Sequence, residues 1–294
     1  MKHTRIFAMV PALCLVLTLC GCGLGQYKET VRGSEVLRQR SLPLTENAKG
    51  YALRVQGLSL RDVAELTLVI DESLESAVVL ETDSNILHRL RLERGPAPDE
   101  ITLSAPYYLN FAPSKLALTV GAPVRELAVE GMWNICYDCP SVKTFRFVAE
   151  GDIRSDFTFG ELDRLDMGLS GFSQINMSSP GITDCRINAD GDCGGDYAIG
   201  ESKNLHVNLS GFGRINISGA AERAVFVLEG DADITALGLT AQEADVNIDG
   251  MGSCEITAEQ RLNVVIEGAG SVLYGGSPTV SQTIEGFGSI KAKD

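Results

Sequence analysis

The chain has 294 residues, 44% of them hydrophobic, with 31 glycines against 10 prolines and a formal net charge of −14. Such acidity argues against nucleic acid as a partner, and the apolar content is ample for a sizeable core. A helical repeat array of about 34 residues per unit is excluded as well, because the long Ala/Leu/Glu/Lys periodicity it needs is absent.

Lys2 and Arg5 charge the start, and Ile6 to Leu19 is almost wholly apolar but too short to be a final membrane span. Residues 1–21 are therefore predicted to be an export signal. Leu19-Cys20-Gly21-Cys22 resembles a bacterial lipobox, with a branched apolar residue at −3, a small one at −1 and the acceptor thiol after it. Cys22 is the predicted lipid attachment site; Cys20 is poorer because Leu19 would occupy the small position, and a plain signal peptide cut elsewhere is the alternative. Gly23 in place of the Asp that retains lipoproteins at an inner membrane points to the outer membrane of a Gram-negative host. Residues 22–50 read as a lipid-anchored tether, with a short helical turn at Ser34 to Arg40.

From 51 to 120 the segments Leu66–Ile70, Ala77–Thr82, Leu87–Glu93, Glu100–Ser104 and Lys115–Val120 read as strands of irregular spacing, a β-rich cap or first coils. Residues 121–294 are regular. Glycine recurs at 131, 151, 171, 191, 211, 230, 250, 268 and 286. Two before each lies an apolar residue (Val129, Ala149, Leu169, Ala189, Leu209, Leu228, Ile248, Ile266, Ile284), four before another in all but the last turn, and four after commonly Ile or Val. Period-2 alternation running into a repeated glycine describes short strands with one face inward, stacked unit upon unit. The prediction is an all-β, single-stranded parallel β-helix of about nine turns of 18–20 residues, a rod near 40 Å long at about 4.8 Å per turn. The glycines are predicted to turn its corners with positive φ.

The closing segments Ile266–Pro278 (IEGAGSVLYGGSP) and Ile284–Ile290 (IEGFGSI) resemble the C-terminal signature of the family of putative auto-transporter adhesins with a head GIN domain, and Asp83–Leu87 (DSNIL) resembles its N-terminal half. The resemblance covers roughly residues 51–294. It implies a bacterial envelope β-helix, frequently lipid-anchored and adhesin-like, and brings no catalytic residues with it.

The residue before each repeat glycine departs from the family's usual Ser: Glu130, Glu150, Ser170, Asp190, Ser210, Glu229, Asp249, Glu267, Glu285. These should point outward and stack, so Glu229, Asp249, Glu267 and Glu285 form an acidic ladder that solvent and salt screen or that a cation such as calcium, or a basic partner, neutralises. Asp152, Asp192 and Asp231 follow glycines on alternate turns, with Asp190, Asp196 and Asp233 near in sequence. Carboxylates two turns apart, near 9.6 Å, could serve a polysaccharide lyase or glycosidase, although aspartate at a corner is also ordinary turn chemistry. Phe172, Phe212 and Phe287 with Met132 and Met251 could form an apolar stripe or simple corner packing. Outside the cytoplasm, Cys136 with Cys139 and Cys185 with Cys193 are the local disulfide candidates, and Cys254 occupies an inward position as a small hydrophobe. His88 and His206 lack any adjacent nucleophile pattern. The expected function is a non-catalytic, adhesin-like scaffold of the cell envelope, anchored to the membrane by its N-terminal lipid and binding a glycan or an envelope protein. No resident cofactor is implied; the alternatives are the enzyme and a passive envelope spacer.

Overall fold

The computed structural model describes residues 29–44, 50–56, 59–60, 65–74, 77–106 and 109–293; the predicted export signal, Cys22 and the first part of the tether lie outside these. The N-terminal part contains β1 (Glu29–Arg32), β2 (Leu37–Pro43), β3 (Tyr51–Gln56), β4 (Ser59–Leu60), β5 (Leu66–Ile70), β6 (Ala77–Asp83), the short helix α1 (Ser84–Leu87), β7 (Arg91–Arg94), β8 (Glu100–Ser104), β9 (Leu109–Ala112) and β10 (Leu116–Val120). The repeats follow as β11 (Val124–Cys139), β12 (Thr144–Phe159), β13 (Leu162–Ser178), β14 (Gly181–Gly211), β15 (Arg214–Gly230), β16 (Asp233–Gly250) and β17 (Ser253–Gly268). β18 (Ser271–Gly275), β19 (Thr279–Gly286) and β20 (Ser289–Ala292) complete them. Among the described residues no helix is long and apolar enough to cross a membrane.

Every neighbouring pair from β11 onward is parallel, as a coil requires. The glycine columns are in register: Gly131 stands opposite Gly151, Gly151 opposite Gly171, Gly171 opposite Gly191, then Gly211 opposite Gly230 and on to Gly250, Gly268 and Gly286. Phe147, Met167, Ile187, Val207, Phe226, Val246 and Val264 point inward before the corner, and Ile135, Ile175, Ile215, Ile234 and Val272 after it, all buried. The corner itself demands glycine. Gly250 has φ +129°, and a Cβ built there would lie 2.2 Å from the Gly230 carbonyl oxygen of the turn below. An L-residue would thus suffer both a left-handed backbone and a clash with unyielding main chain.

The first turns are filled with aromatics. Phe145 stacks on Phe147 with ring centres 6.4 Å apart, Phe157 meets Phe147 edge to face at 5.0 Å, and Phe159 lies 4.8 Å from Phe145. Tyr137 joins them and satisfies its buried hydroxyl on one residue, accepting from the Val124 N–H at 2.7 Å and donating to the Val124 carbonyl at 3.0 Å. Side chains of this size dominate the apolar area removed from water.

The N-terminal strands are the coil continued in a different order. β3, β4 and β5 lie against successive parts of β11, with Leu53 opposite Leu127, Ser59 opposite Met132 and Leu66 opposite Ile135. On their other side lie β8, β9 and β10. The turn that holds β3, β4 and β5 is therefore sandwiched between one made later, holding β8, β9 and β10, and the first regular repeat. β1, β6 and β7 cover the outer side of that later turn, and β2 pairs antiparallel with β6. The expected helical turn at Ser34 to Arg40 gives way to strand from Leu37, because β6 offers an open edge seven residues long. The strand expected from Leu87 begins only at Arg91, since Ser84–Leu87 are helical and turn Ile86 and Leu87 into the core.

Asp83 fastens this end. Its buried carboxylate accepts from the Ser114 N–H at 2.7 Å, the Ser114 hydroxyl at 2.8 Å and the Glu35 N–H at 2.6 Å. Burial opposes its ionisation, but these bonds outweigh burial and hold its carboxyl below the ordinary range.

Candidate functional site

Two outward surfaces flank the repeats' glycine corners. The first is the edge at the corner itself. The residues before the glycines stack as the ladder requires: Glu229 is opposite Asp249, Asp249 opposite Glu267 and Glu267 opposite Glu285. Among the described residues the ladder brings no set of oxygens together around one point. Parallel in-register strands hold successive carboxylates about 4.8 Å apart and all pointing away from the core, whereas a calcium ion needs oxygens converging on one point. Among the described residues no group of three or more His, Cys, Asp or Glu side chains converges in that way.

The residues after the glycines stack just as regularly. The N–H of Phe212, Met251, Ala269 and Phe287 each donates to a glycine carbonyl of the preceding turn. Asp152 lies opposite Phe172 and Phe172 opposite Asp192, so the three candidate catalytic aspartates, Asp152, Asp192 and Asp231, alternate with phenylalanine along one line. They stand on an open edge. Of the other carboxylates, Asp190 accepts from Ser210 at 3.3 Å, and Asp233 is taken up in an ion pair with Arg214 at 2.6 Å and in hydrogen bonds from Ser253. Burial opposes the ionisation of Asp233, but Ser253 and the Arg214 guanidinium overcome it and lower its pKa.

The second surface is a groove of about 600 Å³ on the strand that follows the corner, lined in part by Asp156, Asn176, Asp196, Asn216, Thr235 and Gly238. These residues stack because each lies near the same position of its turn and points outward. The Asn176 amide donates to Asp156 Oδ1 at 2.8 Å, and the Asn216 amide donates to Asp196 Oδ1 at 2.7 Å. Each amide therefore has one N–H committed and keeps a second N–H and its oxygen, while each carboxylate keeps an oxygen to accept with. Thr158, Ser178 and Ser218 add hydroxyls along one side. Irregular register where β16 meets its neighbours, between Asn216 and Ser218 and between Ala236 and Thr240, places Gly238 beside Ser218 at one end. A bulge of this kind re-aims a strand edge beside a site. Sequence reasoning missed the groove except for Asp196; the signal was present as a recurrent Asp or Asn five residues after the glycine.

The cysteines correct the disulfide expectation: Cys136, Cys139, Cys185, Cys193 and Cys254 are all free thiols. Cys136 and Cys139 are three apart on one strand and so face opposite sides, Cys139 buried and Cys136 half-buried. Cys185 and Cys193 lie on either side of the Gly191 corner. Burial pushes the Cys185 thiol up to about 12, which leaves it protonated. Cys254 is buried at the inward position expected of it. His206 lies in a charged hollow with Arg164, Asp166, Asp184, Arg186 and Asn204, its pKa lowered by burial and then by Arg186.

Residues 183–278 match the family described as "Putative auto-transporter adhesin, head GIN domain". The match covers about a third of the chain. The match spans most of the glycine ladder and of the groove. None of the curated proteins matches the chain. Among solved structures, the chain is similar to a putative adhesin from Parabacteroides merdae, with 18% identity and a TM-score of 0.58. It also resembles a putative lipid binding protein from Parabacteroides distasonis, with 18% identity and a TM-score of 0.57, and a putative adhesin from the same organism, with 16% identity and a TM-score of 0.53. Each comparison covers 90% of this chain and 100% of the other. At that identity the likeness is one of fold.

Proposed function

We propose that this protein is a non-catalytic adhesin-like scaffold of the bacterial envelope, lipid-anchored through Cys22, that holds a hydroxyl-rich ligand, a glycan, in the groove lined by Asp156, Asn176, Asp196 and Asn216. The observation that supports this most is the Asp–Asn ladder. It offers alternating, pre-oriented acceptors and amide donors at a regular pitch, the pattern that the hydroxyls of a repeating sugar chain would meet. Preorganisation by the Asn-to-Asp bonds lowers the cost of ordering these side chains on binding. The family description agrees with adhesion, and Asp152, Asp192 and Asp231 stand outside the groove on the glycine edge.

The test is retention of neutral and acidic polysaccharides by the mature protein, with and without calcium, scored together with new reducing or unsaturated ends. Retention of a glycan without new ends is expected, unaffected by calcium removal, and weakened about tenfold by Asp196→Ala or Asn216→Ala, a loss of about 1.4 kcal/mol. New chain ends would overturn the non-catalytic reading. Labelling with palmitate, abolished by Cys22→Ser, checks the anchor.

A further inference from the structure

The edge beside the glycines bears a second pattern that the groove does not use. Reading up the column that follows the corner, Met132, Phe172, Phe212, Met251 and Phe287 occupy every second turn and alternate with Asp152, Asp192, Asp231 and Ala269. The apolar members are exposed: Phe172 by 48%, Met251 by 67%, Phe212 by 75% and Phe287 by 94%. Corner packing, the plainer reading, would have buried them. A row of exposed aromatic and thioether side chains is the kind of surface that partners cover.

Charge says what the partner is like. On the face that precedes the corner the protein neutralises itself, with Arg164 on Asp166 at 2.6 Å, Arg223 on Asp245 at 2.7 Å and Arg261 on Glu243 at 2.6 Å. Beside the apolar row it does not. Among the described residues no lysine or arginine pairs with Glu229, Asp249, Glu267, Glu285, Asp192 or Asp231. An anionic chain or anionic bilayer would be repelled there, and a cationic partner attracted.

Spacing says how the partner lies. Two turns of the coil advance about 9.6 Å. A polyproline II chain repeats its side-chain direction every three residues, about 9.3 Å. Laid along the edge, such a chain would place every third residue against the same kind of gap between exposed Phe and Met side chains, with its neighbours over the carboxylates.

We propose that the glycine edge is a docking track for an extended, basic, proline-rich polypeptide with an apolar residue at every third position, held by Phe172, Phe212 and Met251 and by the flanking carboxylates. This site is independent of the glycan groove. The test uses the mature chain and a synthetic peptide repeating Leu-Lys-Pro, compared with a peptide of the same composition rearranged to an apolar period of two, with oligolysine, and with neutral lipid vesicles. The repeating peptide is expected to bind best, to weaken with salt, and to lose about tenfold in affinity in the Phe172→Ser/Phe212→Ser variant. Asp196→Ala, in the groove, should leave it unchanged. Because both phenylalanines are exposed, an unchanged melting temperature will show that the variant is folded. Equal binding of the rearranged peptide or of oligolysine, preference for vesicles, no binding at all, or indifference to the Phe substitutions would each overturn the proposal.

Discussion

Single atoms decide several features of this protein. Tyr137 and Tyr197 occupy equivalent inward positions three turns apart, yet the first has both its hydrogen bonds on Val124 and the second has a buried hydroxyl with no partner among the described residues. A paired buried hydroxyl stabilises by about 1 kcal/mol, whereas an unpaired one costs about 1–3 kcal/mol of desolvation. Thermal melts should therefore move in opposite directions, down for Tyr137→Phe and up for Tyr197→Phe. Asp83 gives a pH-dependent counterpart. Its pKa in the folded chain lies below its ordinary value, so the stability it confers is complete above the unfolded pKa and disappears as pH falls through the folded one. Asp83→Asn should lower stability by about 2 kcal/mol at neutral pH and flatten the acid limb of a stability-versus-pH curve. The same carboxylate receives the N–H of Glu35, a non-glycine residue held at positive φ, 58°. None of this was legible in the sequence, where Asp83 stood out only as part of a short motif, because the partners that give it meaning are 31 and 48 residues away.

At the scale of one turn, the glycine at the corner is the controlling element. Gly250→Val should destabilise by about 3 kcal/mol or more, since left-handed strain alone amounts to about 1–3 kcal/mol and the Cβ would meet main chain at 2.2 Å. Gly168 is the internal control. It lies within a strand, and a Cβ added there would meet nothing within 4 Å. Gly168→Ala should be neutral or stabilise by up to about 1 kcal/mol, and a urea melt of the two variants side by side checks both. Much at this scale could be read directly from the chain: the period of the glycines, the inward columns before and after them, and the outward acidic column follow from alternation alone. The groove could not be read so easily. Its Asp and Asn are ordinary turn-and-surface residues one by one, and become a ladder only when the register sets Asn176 on Asp156 and Asn216 on Asp196. The Cys136–Cys139 pairing failed for a related reason, since residues three apart on a strand face opposite sides.

For the whole molecule, stability should be distributed as in a stack, each turn depending on its immediate neighbours. Hydrogen exchange is expected to be slowest in β12 to β16, which are paired on both sides, and fastest in β19 and β20. Uniform protection along the rod would contradict this. Deleting residues 51–70 should have a wider effect than deleting any one repeat, because that turn joins the end to the body.

That placement also bears on how the chain is made. A coil laid down strictly in order could begin to set as soon as its first turn emerged from a ribosome or a translocation channel. Here β3, β4 and β5 find both of their neighbours only after residue 139 has emerged, since one neighbour is made of β8, β9 and β10 and the other of β11. The N-terminal end is thus expected to set late, and once β11 has closed against β3, β4 and β5 the remaining turns can add in one direction, each segment templated by the one before.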